Sequence, residues 1–286
     1  MKKNITRRGF VAGTAAAGAG LALPTAHGED APPKTTEAGI PRIDFHTHRD
    51  NSTVEKLLEF AKERGVKLGI VEHAGTKENK YPVVLSNDDE LKAFIASLAD
   101  KPVYKGVQAE WLDWMSCFSK DAVAQLDYVL TDAMTCRNQD GSRIKMWEPA
   151  FKIDDAQKFM DGYADFYVEI MAGEPIDILA NAMWLPNQIA KEYDAMWTEP
   201  RVRKVIDAAV KHGVAIEISS SLKLPRLPFL KLAKEAGVKF SFGSNGRGAG
   251  VAKLDYSLEM AKALNLTPAD MFSPAPAGKK PIQTRK

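Results

Sequence analysis

A chain of 286 residues with 39 Lys and Arg against 37 Asp and Glu carries no strong field for seeking nucleic acid or a membrane surface. It is long enough to bury a full core, so its two cysteines, Cys117 and Cys136, are not needed as a staple and read as free thiols, although they could pair after export. Histidine is scarce at five residues, which makes the positions of the imidazoles informative.

Residues 1–28 hold Lys2, Lys3, Arg7 and Arg8, then an apolar stretch from Phe10 to Leu23, and no acidic residue. This pattern reads as a secretory signal rather than a membrane anchor. The Thr6-Arg7-Arg8-Gly9-Phe10-Val11 run resembles a twin-arginine signal, with small residues at Ala26-His27-Gly28 for cleavage. The expectation is a periplasmic or extracellular protein with no membrane span. Removing the signal takes away four positive charges and moves the balance from +2 to −2. Residues 29–40 and 273–286 are rich in Pro, Ala, Gly, Thr and Lys; they read as a flexible linker and a disordered tail around one folded unit, residues 41–272.

Along that unit, apolar runs predict strands over residues 42–48, 67–73, 103–111, 127–134, 176–181, 214–220 and 239–245. Helical periodicity predicts helices over 53–64, 88–98, 120–126, 154–172, 201–211, 227–236 and 254–264. Gly65, Gly213 and Gly237 fall between a helix and the next strand, where a left-handed cap is wanted. Alternating strands and helices mean a parallel sheet, and a sheet of this kind that closes is a barrel; an eight-unit barrel would need one strand more. The long stretch 135–153 follows a strand end. It either covers a site at that end or is a solvated excursion packed by Trp147.

The first strand ends in Asp44-Phe45-His46-Thr47-His48. Side chains alternate along a strand, so His46 and His48 point the same way. The second strand ends in Glu72-His73, bringing a third imidazole to the same end of the sheet, which is a metal-site arrangement. His212, at a helix C-terminus, reads as structural. Glu72 either orients a ligand, acts as a general base, or is an ordinary strand-end carboxylate. Glu217, among β-branched residues in the sixth strand, either faces the barrel mouth as a site group or forms an internal ion pair.

With those residues in view, the chain resembles the PHP family, the polymerase and histidinol phosphatase group of metal-dependent phosphoesterases, over most of residues 42–272. The resemblance is clearest in Ile43-Asp44-Phe45-His46-Thr47-His48 and in residues 57–66 running into Val71-Glu72-His73. A lone His-x-His would also suit the amidohydrolases. The resemblance implies a distorted (β/α)7 TIM-like barrel, an α/β fold. It also implies ligands that this chain has changed: Gln108 stands where a bridging Glu is expected, with Glu110 two residues on; Met134 and Asn181 replace histidines; Asn245 and Arg247 replace an Asp and a His. An amide supplies less charge and basicity than a carboxylate or an imidazole, so a trinuclear centre is not expected.

What remains is one divalent ion (Zn, Mn or Fe) or none, with His46, His48 and Glu110 as ligands. His73 and Glu72 would serve as catalytic groups. Arg247 would grip an anion where the family has another metal, and Gln108, Asn181, Glu217 and Asn245 would line the substrate site. The expected function is an exported metal-dependent hydrolase acting on a small anionic ester. The alternative is a catalytically silent barrel that binds a ligand or a protein. The residues identify neither the substrate nor the oligomeric state.

Overall fold

The structure, a computed structural model, describes residues 32–50, 52–137 and 142–285; the expected signal, residues 1–28, lies outside them. Seven parallel strands form a closed sheet: β1 (Ile43–His48), β2 (Lys67–Ala74), β3 (Tyr104–Ala109), β4 (Tyr128–Thr131), β5 (Ile178–Leu179), β6 (Ala215–Ser219) and β7 (Phe240–Gly243). Each pairs with the next, and β7 pairs back to β1 through Asp44 opposite Phe242. A helix follows every strand: Val54–Arg64, Asp88–Ser97, Lys120–Val123, Ala156–Gly173, Glu199–His212, Leu227–Glu235 and Asp255–Ala263. The alternation read from periodicity is therefore the architecture, a (β/α)7 TIM-like barrel.

Local chemistry starts and stops these helices where the sequence indicates. Thr53, Asn87 and Asp155 accept hydrogen bonds from backbone N–H groups of the first turn, which satisfies donors that have no partner inside the helix. Gly65 and Gly213 end their helices at φ 66° and 63°, in the left-handed region that glycine adopts without a Cβ penalty.

Two apolar layers hold the barrel. Outside it, strand residues such as Leu68, Ile70, Ile216 and Ile218 pack against the helices. Inside it, Phe45, Val71, Tyr128, Leu130, Ile178, Ala180 and Ala215 form a plug. Phe45 is the hub, stacked on Tyr104 at 5.5 Å and edge-on to Tyr128 and Phe272 at 5.2 Å. The Tyr128 ring crosses the barrel, and its hydroxyl donates to the Phe45 carbonyl at 2.7 Å. A Cβ on Gly106 would lie 2.5 Å from Tyr128 Cζ, against a ring that has nowhere to move. Gly106→Ala is expected to cost about 1–3 kcal/mol in chemical denaturation, and Tyr128→Phe should not relieve it, because the ring remains.

Both ends of the folded unit are ordered to a greater extent than their composition suggests. Lys34 N donates to the Gly65 carbonyl at 2.8 Å, and Ile40 is buried. The C-terminal stretch, expected to be a disordered tail, instead carries the helix Pro281–Thr284 with Ile282 buried. Lys280 Nζ donates to the carbonyls of Ala124 and Leu126, and Arg285 to those of Met171, Glu174 and His212. These carbonyls lie at the C-terminal ends of three helices, where unpaired acceptors and the helix dipole favour cations. Composition alone hides this, because among the described residues two of the tail's cations, Lys280 and Arg285, do the anchoring. Cys117 and Cys136 are free thiols.

Candidate functional site

The histidines meet at the C-terminal ends of β1 and β2, and a bulge in β1 makes the meeting possible. Asp44 pairs with Leu68, and Thr47 with Ile70, so β1 carries one extra residue between them. Phe45 can therefore join the inner plug while His46 and His48, two residues apart, also turn inward. Above the plug the barrel interior becomes polar.

His46 is fully buried, and its Nδ1 lies 2.7 Å from Glu217 Oε2. Its Nε2 lies 3.1 Å from both Gln108 Oε1 and His48 Nε2. Burial alone would depress the His46 pKa, but the carboxylates of Glu217, foremost, and of Asp44 and Asp132 together raise it. Glu217 thus takes the internal-pair option left open by the sequence, and a Cβ on Gly243 would meet its carboxyl at 2.5 Å. With both ring nitrogens protonated, His46 donates to Glu217 and toward Gln108. In that state it positions its neighbours rather than offering a lone pair.

His73 makes a parallel arrangement, with Nδ1 2.7 Å from Glu110 Oε1. Burial, reinforced by the Arg247 charge, pushes the imidazole down to about 3, and burial pushes the Glu110 carboxyl up to about 7. This contact is therefore a hydrogen bond of a neutral imidazole and not an ion pair. His48, stacked on His73 at 4.6 Å, is held well below the usual imidazole range by burial and the neighbouring His46.

The group of potential ligands that converges among the described residues is His48, Asp50 and His73, whose ligand atoms all lie within 4.8 Å of one another. Each has a buried polar atom with no hydrogen-bond partner: His48 Nδ1, Asp50 Oδ1 and His73 Nε2. Two neutral imidazoles and a carboxylate form a donor set that suits a borderline divalent cation. Glu110 on His73 Nδ1 matches the way outer carboxylates fix a ligating imidazole. The residues thus fit a divalent ion, with a different membership from the expected His46, His48 and Glu110: His46 and Glu110 stand one step behind, and Asp50 and His73 take their places. Strand alternation gives no signal for Asp50, which lies past the strand end in a turn at φ 41° that brings its carboxylate to the histidines.

Other expected site residues are redistributed. Glu72 alternates to the opposite face of β2 from His73 and accepts from Arg49 Nε at 3.0 Å, its carboxyl pushed up to about 7 by burial; it is not in the histidine cluster. Gln108 and Asn181 donate to Asp132 Oδ2 at 3.3 and 3.1 Å. Asp132, raised to about 6 by burial, is thus a polar hub that sequence reasoning did not single out. Arg247 donates through Nε to Asp50 and through Nη1 to both oxygens of Asn245, so much of its guanidinium is committed, although its side chain stays 45% exposed. The stretch after β4 forms a hairpin, Thr135–Arg137 against Arg143–Lys145. It lies over the site: Arg143 donates to Thr76 and Asn79, and Lys145 Nζ sits 4.0 Å from the Tyr81 ring centroid.

Fold and site together define an α/β barrel with a histidine and carboxylate cluster at the C-terminal ends of its strands. No family model matches the chain, and no match is found among curated proteins. Among solved structures, the chain is similar to a histidinol phosphate phosphatase from Lactococcus lactis subsp. lactis Il1403, complexed with zinc, L-histidinol and phosphate. The TM-score is 0.56 at 14% identity, over 86% of this chain and 99% of that one. An HpcH/HpaI aldolase from Desulfitobacterium hafniense DCB-2 follows at TM-score 0.36 and 11% identity, over 82% and 96% of the two chains. A phospho-2-dehydro-3-deoxyheptonate aldolase from Thermotoga maritima follows at TM-score 0.33 and 14% identity, over 82% and 75%. The first likeness is one of fold, and it agrees with the resemblance carried by the β1 and β2 motifs.

Proposed function

We propose that this protein is a metal-dependent hydrolase of the PHP type that acts on a small anionic phosphate ester. The observation that carries this reading is the convergence of His48, Asp50 and His73, each with an unpartnered buried atom. When bound there, a divalent cation supplies Lewis acidity toward the phosphoryl group and makes water a usable nucleophile near neutral pH. The chain's own residues prepare for this. Glu110 fixes the ring orientation of His73, and His46, clamped by Glu217, holds Gln108 and His48 in register. Arg247 steadies Asp50 and keeps Nη2 for the substrate anion. The zinc and phosphate named for the Lactococcus lactis neighbour are consistent with that chemistry. The Arg7-Arg8 motif and following apolar run support export to the periplasm or beyond.

The second reading, a silent barrel that binds a ligand or protein, is favoured by Gln108, Asn181 and Asn245, all of which bond to protein groups. An aryl phosphate assay with and without chelator separates the two. Activity that is lost on chelation, restored by zinc or manganese and absent from His73→Ala supports the hydrolase; activity indifferent to chelator overturns it. Glu110→Gln should weaken metal affinity about 10- to 100-fold in equilibrium dialysis while leaving the fold intact.

A further inference from the structure

The imidazoles are sealed: His46 and His48 are 0% exposed and His73 2%. A column of rings and charge leads from them to solvent. His48 stacks on His73, His73 stacks on Tyr81 with centroids 3.6 Å apart and planes 8° apart, and Lys145 Nζ lies 4.0 Å from the Tyr81 centroid and 5.4 Å from that of exposed Trp147. The Tyr81 hydroxyl lies beside Glu110. Tyr81 therefore covers the outer face of His73, while His48 covers the inner face and Glu110 the Nδ1 edge.

Two side chains border both site and solvent here, and they are fastened differently. Arg247 is tied by hydrogen bonds to Asp50 and Asn245. Tyr81 is held by ring contacts and by its hydroxyl against Glu110, on a loop whose backbone is bonded through Gly75 to Leu85, through the Thr76 to Asn79 turn and through Tyr81 N to the Asn79 carbonyl. Among the described residues, Lys145 has no carboxylate within ion-pair distance. Its ammonium rests on aromatic faces, an attraction that is readily exchanged for an anion.

We propose that Tyr81 is the gate of the histidine site and that Lys145 is its latch. Swinging Tyr81 off His73 opens the outer face of the imidazole, and the same movement takes the ring from under the Lys145 ammonium, which then receives the anionic group of the entering substrate. The substrate part of this inference rests on the hydrolase reading; the gate does not.

The test is carbethoxylation of His73 by diethylpyrocarbonate, read by peptide mass spectrometry on the full chain, as purified and after chelation, with partly exposed His212 as the internal standard. In the chelated protein, Tyr81→Ala should raise the His73 rate about three- to tenfold, the range to which one aromatic pair corresponds. Tyr81→Phe, which keeps the ring, should stay within about twofold of wild type, since it loses one neutral contact at most. Lys145→Met should raise the rate about two- to fivefold and abolish protection of His73 by inorganic phosphate. A Tyr81→Ala rate equal to wild type overturns the gate. If Tyr81→Ala does not fold, Lys145→Met decides, and an unchanged rate there overturns it. Absence of bound metal would sink the hydrolase reading while leaving the gate result standing.

Discussion

Asp44→Ala is expected to cost about 3–5 kcal/mol of stability, because three of the donors it strands are buried backbone amides at about 1–3 kcal/mol each. Asp44 is fully buried at the seam where β7 returns to β1, a seam with a single residue pair and the bridge of Thr47 to Gly246. Its carboxyl accepts from His46 N at 3.1 Å, Ser244 N at 2.9 Å, Ser244 Oγ and Ala252 N at 2.9 Å. Burial pushes the Asp44 pKa up, so part of the lost bonding is offset when the charge is removed. Asp44→Asn keeps an acceptor for Ser244 N and His46 N but turns an NH2 toward Ala252 N, and should cost about half as much. Urea denaturation measures both. A loss under about 1 kcal/mol for the alanine variant would mean that other contacts close the barrel.

Glu217→Gln is the second large effect, and its size should depend on pH. The His46 pKa is raised above its unfolded value by Glu217 against the opposing effect of burial. The stability contributed by the pair is therefore present in full below about pH 6.5, the ordinary histidine value, and is lost as pH rises through the raised folded-state pKa. Breaking a buried pair by removing one partner costs about 3–5 kcal/mol, so that is the expected loss near pH 5.5, and it shrinks at a pH above the raised folded-state value, once His46 has lost its proton. NMR titration of the His46 ring should show its pKa falling in the variant, since burial is then opposed only by the Asp44 and Asp132 carboxylates. Equal losses at both pH values would mean that His46 is neutral and that Glu217 merely accepts from Nδ1–H.

The strands were legible because parallel strands buried on both faces are short apolar runs, as in Leu68-Gly69-Ile70-Val71. The imidazoles were legible because His46 and His48 share a face by alternation and His73 ends the neighbouring strand. Features set by long-range contact were not. The extra residue in β1 shows only in the pairing of Thr47 with Ile70. Which face Glu72 takes is fixed by Val71 joining the inner plug, and that choice separates Glu72 from His73. Tyr81 and Lys145 lie 64 residues apart and carry no shared pattern; the hairpin register that brings Lys145 opposite Thr135 joins them. The tail was misjudged because Lys280 and Arg285 act through carbonyls of helices far away in sequence.

We propose a divalent-ion site at His48, Asp50 and His73. Its most direct measurement is the metal content of untagged protein by inductively coupled plasma mass spectrometry, with Asp50→Ala and His73→Ala alongside. Wild-type protein is expected to carry about one equivalent per chain, as a three-ligand catalytic site would hold, and both variants are expected to lose that ion. Wild-type protein that binds no zinc, manganese or iron even after incubation with each would contradict it.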